Sequence, residues 1–415
     1  MTLPKILRPS QEVALIGLLA AVASLLSVGG GLSPGAYIAL SGKSAAGLGI
    51  LMSISGVATL FAGIGAAILI DRGGQRIVLP LGCLVIAAAA VLFATGSGFP
   101  ILLLAALLLG LGRGLVGVTI GLALVAKWVY RRRGMAMGFL LMFPLVASSA
   151  VGPGGLLLRE AGSQLEAVVT TVAALIAAPV LYLFVPRGFP VLTQGAVHPL
   201  RRPYQDEAHL TGQGLRALPG FWKTIIVIGL LMVMAHVISL VANWNAITMI
   251  GHDSTTRDTV RTVQVILRIS LALGTMAWGA LADIRPARRF ILIPTSLALL
   301  GLALAHFQDF PPLAISGLVL MGIGLGATRV LPWVLLADHL GTRYFAIVGT
   351  LLYLVAGRIG NGAGSLAIWA AGGLFGALWN GLIIGALTLT FAALVITAPR
   401  LTWDSTAPQT TPEKA

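Results

Sequence analysis

The stretch Asp71-Arg72-Gly73-Gly74-Gln75-Arg76 lies between two long apolar runs, and Gly279-Ala280-Leu281-Ala282-Asp283 leads from one apolar run towards another much later in the chain. The two aspartates are 283 − 71 = 212 residues apart, which is about half of the 415-residue chain. A carboxylate is costly close to hydrocarbon, so its recurrence at the end of an apolar run indicates a structural or functional need.

Three glycines repeat at the same distance. Each of the first set is followed 212 residues later by another glycine: Gly110, Gly112 and Gly114 are matched by Gly322, Gly324 and Gly326. An offset shared by separate landmarks indicates two related halves, and internal repeats of this kind are typical of secondary transporters.

The composition is that of a membrane protein, because 57% of residues are hydrophobic and only 10% are charged. Many apolar runs reach the roughly 20 residues that a helix needs to cross a bilayer. We identify twelve runs: 13–39, 46–69, 77–96, 100–127, 134–158, 164–186, 221–250, 259–282, 290–306, 312–337, 344–371 and 375–397. The sequence therefore predicts an all-α membrane protein with twelve transmembrane helices in two pseudo-symmetric six-helix bundles.

The formal net charge of +14 reflects topology rather than a nucleic-acid partner. If both termini lie on one side, that side carries 19 of the 27 Lys and Arg residues. The opposite side carries only Lys43, Arg159, Arg257 and Arg261. Basic loops remain in the cytoplasm, so we predict a multi-pass protein of the cell (inner) membrane with both termini cytoplasmic.

The longest polar interruption divides the chain into four parts. We predict an N-terminal six-helix bundle (1–186), a cytoplasmic linker (187–220), a C-terminal six-helix bundle (221–397) and a cytoplasmic tail (398–415). Cys83 is the only cysteine, which excludes a disulfide framework and a thiolate metal site. We expect neither a cofactor nor a metal.

Several motifs resemble those of the major facilitator superfamily over nearly the whole chain. They are Asp71, Arg72, Gly74 and Arg76 after the second run; Gly279, Leu281, Ala282, Asp283, Arg288 and Arg289 after the eighth; Arg113 with Gly117 in the fourth; and Gly152-Pro153-Gly154-Gly155 in the fifth. The resemblance implies two bundles that alternately open a central site to either side of the membrane, with the protein acting as a monomer.

Two segments are similar to the monocarboxylate and oxalate/formate branch, namely residues 127–138 and 218–222. That branch places an anion-binding arginine four residues before Gly279, where this chain has Thr275, and an oxalate carrier places a lysine near Leu351 and Leu352. The resemblance therefore implies the branch without transferring its substrate contacts.

The two aspartates are predicted to act as a conformational latch. A carboxylate at a helix end can cap a neighbouring helix N-terminus or pair with an arginine across the bundle, and such contacts break when the halves rock. The predicted latch residues are Asp71, Arg72, Gly74, Arg76, Asp283, Arg288 and Arg289. The alternative is a simple topology anchor, which suits Arg72 and Arg288 better than it suits the two aspartates.

Four arginines remain within the apolar runs, at positions 113, 268, 329 and 358. A buried cation needs a partner, but none of the 13 acidic residues falls at the middle of a run. The missing negative charge is therefore predicted to arrive with the substrate. Arg329 lies nearer the end of its run, and a structural role is as consistent with its position as a functional one.

Polar residues recur with helical spacing and predict the lining of a central cavity. The stripes are His236, Ser239 and Asn243; Arg261, Gln264 and Arg268; and Arg358, Asn361 and Ser365. The predicted substrate-binding residues are Arg268, Arg358, Arg113, His236, Asn243, Gln264 and Asn361, with Arg268 and Arg358 as the anion-binding pair. Arg113 can instead serve structure or proton coupling, and His236 can relay a proton or remain a neutral hydrogen-bonding residue.

These observations predict secondary active transport of a small organic anion, a mono- or dicarboxylate, by proton symport or anion exchange. Efflux of drugs or other small molecules is the nearest alternative, and a channel or a non-transporting membrane sensor represents another class. The apolar runs contain no carboxylate pair, metal cluster or activated nucleophile, so an enzyme is not expected.

Overall fold

The computed structural model describes residues 9–29, 45–95, 98–129, 132–160, 163–186, 221–248, 257–307, 310–340, 344–371 and 376–398. These residues form fourteen α-helices. In chain order they are α1 (Pro9–Gly29), α2 (Ala45–Asp71), α3 (Gln75–Thr95), α4 (Phe99–Val116), α5 (Val118–Trp128), α6 (Arg133–Glu160), α7 (Ser163–Phe184), α8 (Phe221–Thr248), α9 (Arg257–Ile284), α10 (Ala287–Phe290), α11 (Leu292–Ala305), α12 (Pro311–Leu340), α13 (Phe345–Ala371) and α14 (Gly376–Thr397).

The fourteen helices correspond to the twelve predicted spans, because α4 with α5 forms the fourth and α10 with α11 forms the ninth. Within the described residues, nine helical stretches are long and apolar enough to cross a membrane, and three shorter apolar helices accompany them. The predicted fold class is confirmed: this is an all-α protein of twelve spans in two related bundles. The predicted linker (187–220) and tail (398–415) fall almost wholly outside the described residues, so the domain boundaries stay a prediction.

The fourth span differs from the continuous run predicted at 100–127, since it breaks at Gly117. Gly117 has φ −58° and ψ 166°, which takes the chain out of the helix. A Cβ at this position would lie 2.7 Å from the carbonyl oxygen of Arg113, so a larger residue would crowd the break. The helix starts again because Ile120 and Gly121 donate their backbone N–H groups to the Gly117 carbonyl, at 3.0 and 3.2 Å.

The repeat seen in the sequence is present in the packing of α4 and α12. Gly112 packs on Ile86 of α3, and Gly324 packs on Ala298 of α11. Because 298 − 86 and 324 − 112 are both 212, the two contacts are equivalent positions of the repeat. The related glycines behave alike: Gly110 lies against Ser55 and Gly322 against Leu267, while Gly114 lies against Ala62 and Gly326 against Gly274. These glycines let helices approach closely where lipid gives no hydrophobic drive for association.

One turn requires glycine for its backbone conformation. Gly73, between α2 and α3, has φ 88°, a value that residues with a Cβ rarely adopt. The neighbouring Gly74 donates its N–H to the carbonyl of Leu69 at 2.8 Å and closes the end of α2. This tight turn fixes the position of Asp71, the last residue of α2.

Substituting Gly324 should destabilise the fold. In Gly324→Ala, the new Cβ would collide with the backbone of Pro294 and Ala298, which cannot move aside as a flexible side chain can. We expect a loss of about 1–3 kcal/mol, the usual cost of overpacking. Thermal unfolding of the detergent-solubilised protein measures this loss. Gly65→Ala is the matched control, since a Cβ at Gly65 meets nothing within 4 Å, and equal melting temperatures for the two variants would contradict the packing argument.

Candidate functional site

The two halves meet closely at the end of the bundle that carries Asp71 and Asp283. Helix α6 of the first half lies against α9 of the second, and Gly134 and Gly279 bring their backbones together. A Cβ at either glycine would collide with the carbonyl group of the other. One turn further along, a Cβ at Gly138 would lie 2.6 Å from the carbonyl oxygen of Thr275. We call this contact the α6/α9 seam.

Asp283, the penultimate residue of α9, caps the first turn of α6 across this seam. Its Oδ1 accepts the backbone N–H of Gly134 and its Oδ2 accepts that of Met135, both at 2.8 Å. The first N–H groups of a helix have no partner within the helix, and a carboxylate there also interacts favourably with the helix dipole. Arg133 adds a contact between the halves, because its Nη1 donates to the carbonyl of Ala337 in α12 at 3.4 Å.

Asp71 makes the equivalent contact with the halves exchanged, because it belongs to the first half and caps a helix of the second. Its Oδ2 accepts the backbone N–H of Ile347, in the first turn of α13, at 3.3 Å. The two donor residues, Met135 and Ile347, are separated by the same offset as the two aspartates, since 347 − 135 = 212. Each half therefore caps a helix of the other half, and the contact made by Asp71 is longer and uses one N–H group rather than two.

Two of the other predicted latch residues, Arg76 and Arg288, contact their own half. Arg76 donates to the carbonyl of Tyr182 and lies over its ring, with 4.8 Å from Cζ to the ring centroid. Arg288 donates to the carbonyl of Ala398. Arg72 and Arg289 are exposed. Among the contacts described here, these arginines brace helix ends within a bundle, whereas the aspartates join the bundles.

Sequence reasoning missed Lys127 as part of this arrangement. Its buried Nζ donates to the carbonyl of Ile70 at 3.0 Å and to Oε1 of Gln75 at 3.4 Å. The Lys127 ammonium thus donates a hydrogen bond to a backbone carbonyl at the C-terminal end of α2, immediately beside Asp71. The signal that could have found it is the position of a lysine at the end of an apolar run.

A cavity of about 250 Å³ lies mainly within the second half. Helices α8, α12 and α13 supply most of its wall, and α6 of the first half supplies Leu141. The lining residues are Leu141, Met232, Ala235, His236, Ser239, Leu240, Asn243, Thr328, Arg329, Pro332, Trp333, Tyr353 and Asn361. Arg329 is the charged residue of this lining, and none of the lining residues carries a carboxylate.

Arg329 is the cation of this cavity. Its Nη2 donates to Oγ of Ser239 at 2.6 Å, and its buried Nε has no hydrogen-bond partner among the described residues. Arg268 lies on α9, which packs against α12. A guanidinium that is bonded only to a neutral hydroxyl keeps its full charge in a poorly solvated place.

His236 has a defined arrangement in the same wall. Its Nδ1 lies 2.8 Å from the carbonyl oxygen of Met232, and its ring centroid lies 5.0 Å from that of Tyr353. Trp333 continues this aromatic surface, with 5.4 Å between its ring centroid and that of Tyr353. The cavity therefore combines one cation, several neutral polar groups and an aromatic wall.

The structure brings three of the predicted substrate-binding residues to this cavity, namely His236, Asn243 and Asn361. Arg268 and Gln264 are half-buried on α9 and do not line it. Arg113 is half-buried on α4, just before the break at Gly117. Their roles in substrate binding stay predictions.

Arg358 does not line this cavity and is exposed at the contact between α2 and α13. A Cβ at Gly56 would overlap its guanidinium, so the arginine occupies the space that this glycine leaves open. The predicted pair of Arg268 and Arg358 is thus not brought together in this cavity, since neither residue is part of its lining. Sequence reasoning also missed Trp333 and Tyr353 as cavity residues. Trp333 could have been found, because it lies four residues after Arg329 and therefore on the same face of α12.

Comparison with solved structures shows the same fold in other proteins. A crystal structure of the E. coli fucose:proton symporter FucP superposes with a TM-score of 0.66 at 13% identity, covering 94% of this chain and 100% of that one. A second FucP structure, described as a Major Facilitator Superfamily transporter in the outward conformation, gives 0.68 at 14% identity with the same coverage. At this identity the likeness shows the fold alone. No match was found among curated protein sequences.

The family itself is shown by the sequence model of the Major Facilitator Superfamily, which matches residues 13–365. The match extends from the first span to the eleventh and includes both aspartate motifs and the cavity residues. The chain belongs to the Major Facilitator Superfamily and is a multi-pass membrane transporter rather than an enzyme.

Proposed function

We propose that this protein is a secondary transporter of a small organic anion, a mono- or dicarboxylate, that works by alternating access with proton symport or anion exchange. The observation that carries the proposal is Arg329, a cation in a cavity whose described lining contains no carboxylate. An anionic substrate would supply the missing charge and accept charge-assisted hydrogen bonds from the guanidinium.

Arg268 strengthens this argument. It is half-buried on α9, which packs against the helix that carries Arg329. An anion that reached both guanidinium groups would be bound more strongly than by one alone. Arg268 and Arg329 replace Arg268 and Arg358 as the pair that we assign to the substrate. Arg358, at the contact between the halves, is better placed to respond to rocking than to hold the anion.

The size of the cavity favours a small substrate. Sites for drug-sized ligands usually measure roughly 300–1,000 Å³. The volume here is about 250 Å³, below that range. Drug efflux, the nearest alternative from the sequence, is therefore the weaker proposal.

A neutral sugar is the second candidate. Trp333, Tyr353, Asn243 and Asn361 give the cavity the aromatic and amide groups that recognise sugars, and a fucose:proton symporter has the same fold. Arg329 distinguishes the two candidates, because an uncharged sugar would leave its charge uncompensated. Anion transport explains the arginine, and sugar transport does not.

We assign the end that carries Asp71 and Asp283 to the cytoplasmic side of the cell membrane, as the distribution of Lys and Arg predicts. The caps at this end hold the halves together, and transport requires them to break. Each bundle buries its own helices and the cavity needs only one chain, so we propose that the monomer is functional.

Removing the Arg329 guanidinium should abolish most anion binding. We expect Arg329→Ala to weaken carboxylate binding by about 2–5 kcal/mol, the cost of breaking a buried charge pair. Arg329→Lys should also weaken it, because an ammonium cannot form the planar fork of two hydrogen bonds. Calorimetric binding of propanoate, succinate and fucose to the purified protein measures these changes.

Matched alanine variants show which of the arginines binds the substrate carboxylate. Arg268→Ala should weaken carboxylate binding less than Arg329→Ala, Arg358→Ala should leave it nearly unchanged, and Arg289→Ala is the exposed control. Strong loss in Arg358→Ala with normal binding in Arg329→Ala would restore the pair expected from the sequence. Binding of fucose without any carboxylate would replace the anion proposal with the sugar one.

The two aspartate caps should contribute unequally to closure. Asp283→Asn removes the charge from a carboxylate with two 2.8 Å bonds, whereas Asp71→Asn affects one bond of 3.3 Å. We therefore expect Asp283→Asn to open the α6/α9 seam more, and both variants to slow transport while substrate binding persists. Pulsed electron-spin distances between labels at the exposed positions Arg132 and Ile284, in a Cys83→Ala background, report the opening. Unchanged distances in Asp283→Asn together with normal transport would show that the cap is not a latch.

A further inference from the structure

The two seams that join the halves are related by the repeat but are built differently. The counterpart of the α6/α9 seam is the contact between α2 and α13, which we call the α2/α13 seam. We propose that the end carrying the two aspartates opens asymmetrically, because the α2/α13 seam parts further and the halves swing about the α6/α9 side. This inference rests on the alternating access of the proposed function but not on its substrate.

The first difference lies in how closely the helix backbones approach. In the α6/α9 seam, a Cβ at Gly134 or at Gly279 would lie 2.4 Å from the carbonyl oxygen of the other. The counterparts in the α2/α13 seam are the buried Ala346 and Ala67, since 346 − 134 and 279 − 67 are both 212. Backbones approach most closely where neither residue carries a side chain, so the glycine pair makes the tighter contact.

One turn further along each seam, a glycine meets a threonine, but the threonine changes sides. A Cβ at Gly138 would lie 2.6 Å from the backbone carbonyl oxygen of Thr275. In the α2/α13 seam the glycine is Gly63, and a Cβ there would lie 3.3 Å from Cγ2 of Thr350 and 3.2 Å from Cδ1 of Leu354. Side chains therefore separate the backbones of α2 and α13 at the level where the backbones of α6 and α9 meet.

The second difference is a buried hydroxyl group. Oγ1 of Thr350 is buried and has no hydrogen-bond partner among the described residues. Thr275, the threonine of the α6/α9 seam, donates its hydroxyl to the carbonyl of Leu271 at 2.7 Å. An unpaired buried polar group is unfavourable, so access of water to Thr350 favours the parting of α2 and α13. The α6/α9 seam gains nothing comparable from its threonine.

The hydrogen bonds across the two seams differ in the same direction. Asp283 accepts two N–H groups of α6 at 2.8 Å, and Arg133 adds a bond to the carbonyl of Ala337. Asp71 accepts one N–H group of α13 at 3.3 Å. The counterpart of Arg133, 212 residues later, is Phe345, whose side chain has no donor. Among the described contacts, each difference makes the α2/α13 seam the weaker of the two.

Two pairs of spin labels at equivalent positions of the repeat compare the seams directly. Labels at the exposed residues Arg132 and Ile284 span the α6/α9 seam. Their counterparts, the half-buried Tyr344 and the exposed Arg72, span the α2/α13 seam, because 344 − 132 and 284 − 72 are both 212. Pulsed electron-spin measurements on purified Cys83→Ala protein give the two distances.

Removing the charge of both caps lets this end of the protein open. In Asp71→Asn/Asp283→Asn protein, we expect the increase in mean distance to be roughly twofold larger across the α2/α13 seam, because points far from a hinge move further. An equal increase at the two seams, or a larger one across the α6/α9 seam, would overturn the inference. No increase at either seam would overturn it too, because the contacts described would then not control opening.

Variants within the seams connect the asymmetry with particular contacts, in the same uncharged-cap background. Gly134→Ala/Gly279→Ala gives the α6/α9 seam the alanine pair of the other seam, so the distance across it should increase and the asymmetry should shrink. Thr350→Val keeps the shape of the side chain and removes the unpaired hydroxyl group, so it should shorten the mean distance across the α2/α13 seam. Thr275→Val is the matched control, because it loses a bonded hydroxyl and should shorten neither distance.

The conservative Thr350→Val tests the inference even if the glycine variant does not fold. Unchanged distances in Thr350→Val, or the same shortening in Thr275→Val, would show that the buried hydroxyl group does not weaken the seam and would contradict the inference. If the α2/α13 seam opens further but no carboxylate binds, the proposed substrate is wrong and this inference stands. If carboxylates bind through Arg329 and the seams open equally, the proposed function stands and this inference is wrong.

Discussion

The carboxylate of Asp283 accepts two backbone N–H groups from a helix that belongs to the other half of the molecule. This capping is possible only because Gly134 and Gly279 allow α6 and α9 to touch without side chains between them. Close backbone packing and the charged cap therefore depend on each other, and together they bring the halves into register. The position of Leu141 in the wall of the cavity follows from the same contact, since it lies two turns further along α6.

The repeat relates the framework of the two halves but not the candidate site. Glycine contacts of α4 and α12 are equivalent, and so are the two aspartate caps. The cavity is lined almost entirely by α8, α12 and α13 of the second half. Among the lining residues, the contribution of the first half is Leu141, which is apolar. Among the described residues, the candidate site therefore lies almost wholly in one bundle.

The sequence was sufficient for the architecture because its signals are local or periodic. Run length identified the spans, and the 212-residue offset identified the related halves. The capping role of Asp71 and Asp283 followed from their positions at helix ends. The break at Gly117 was missed, since an isolated glycine in a long apolar run is compatible with an unbroken helix.

The candidate site was only partly predictable. Helical spacing placed His236 and Asn243 on one face, and that face does line the cavity. The arginines could be ordered by depth along their helices, but depth does not tell which neighbouring helix each side chain meets. For that reason Arg358 was paired with Arg268 in the prediction, although its guanidinium lies beside Gly56 of α2 and the helix of Arg268 packs against that of Arg329.

The exchange of caps between the halves has a consequence for the opposite conformation. Neither half carries the carboxylate that satisfies its own helix, because Asp71 caps α13 and Asp283 caps α6. When the halves separate at this end, the N-termini of α6 and α13 lose these carboxylates and turn their first N–H groups, with their partial positive charge, towards water. Opening would therefore create an electropositive vestibule that attracts anions from solution to the mouth of the pathway.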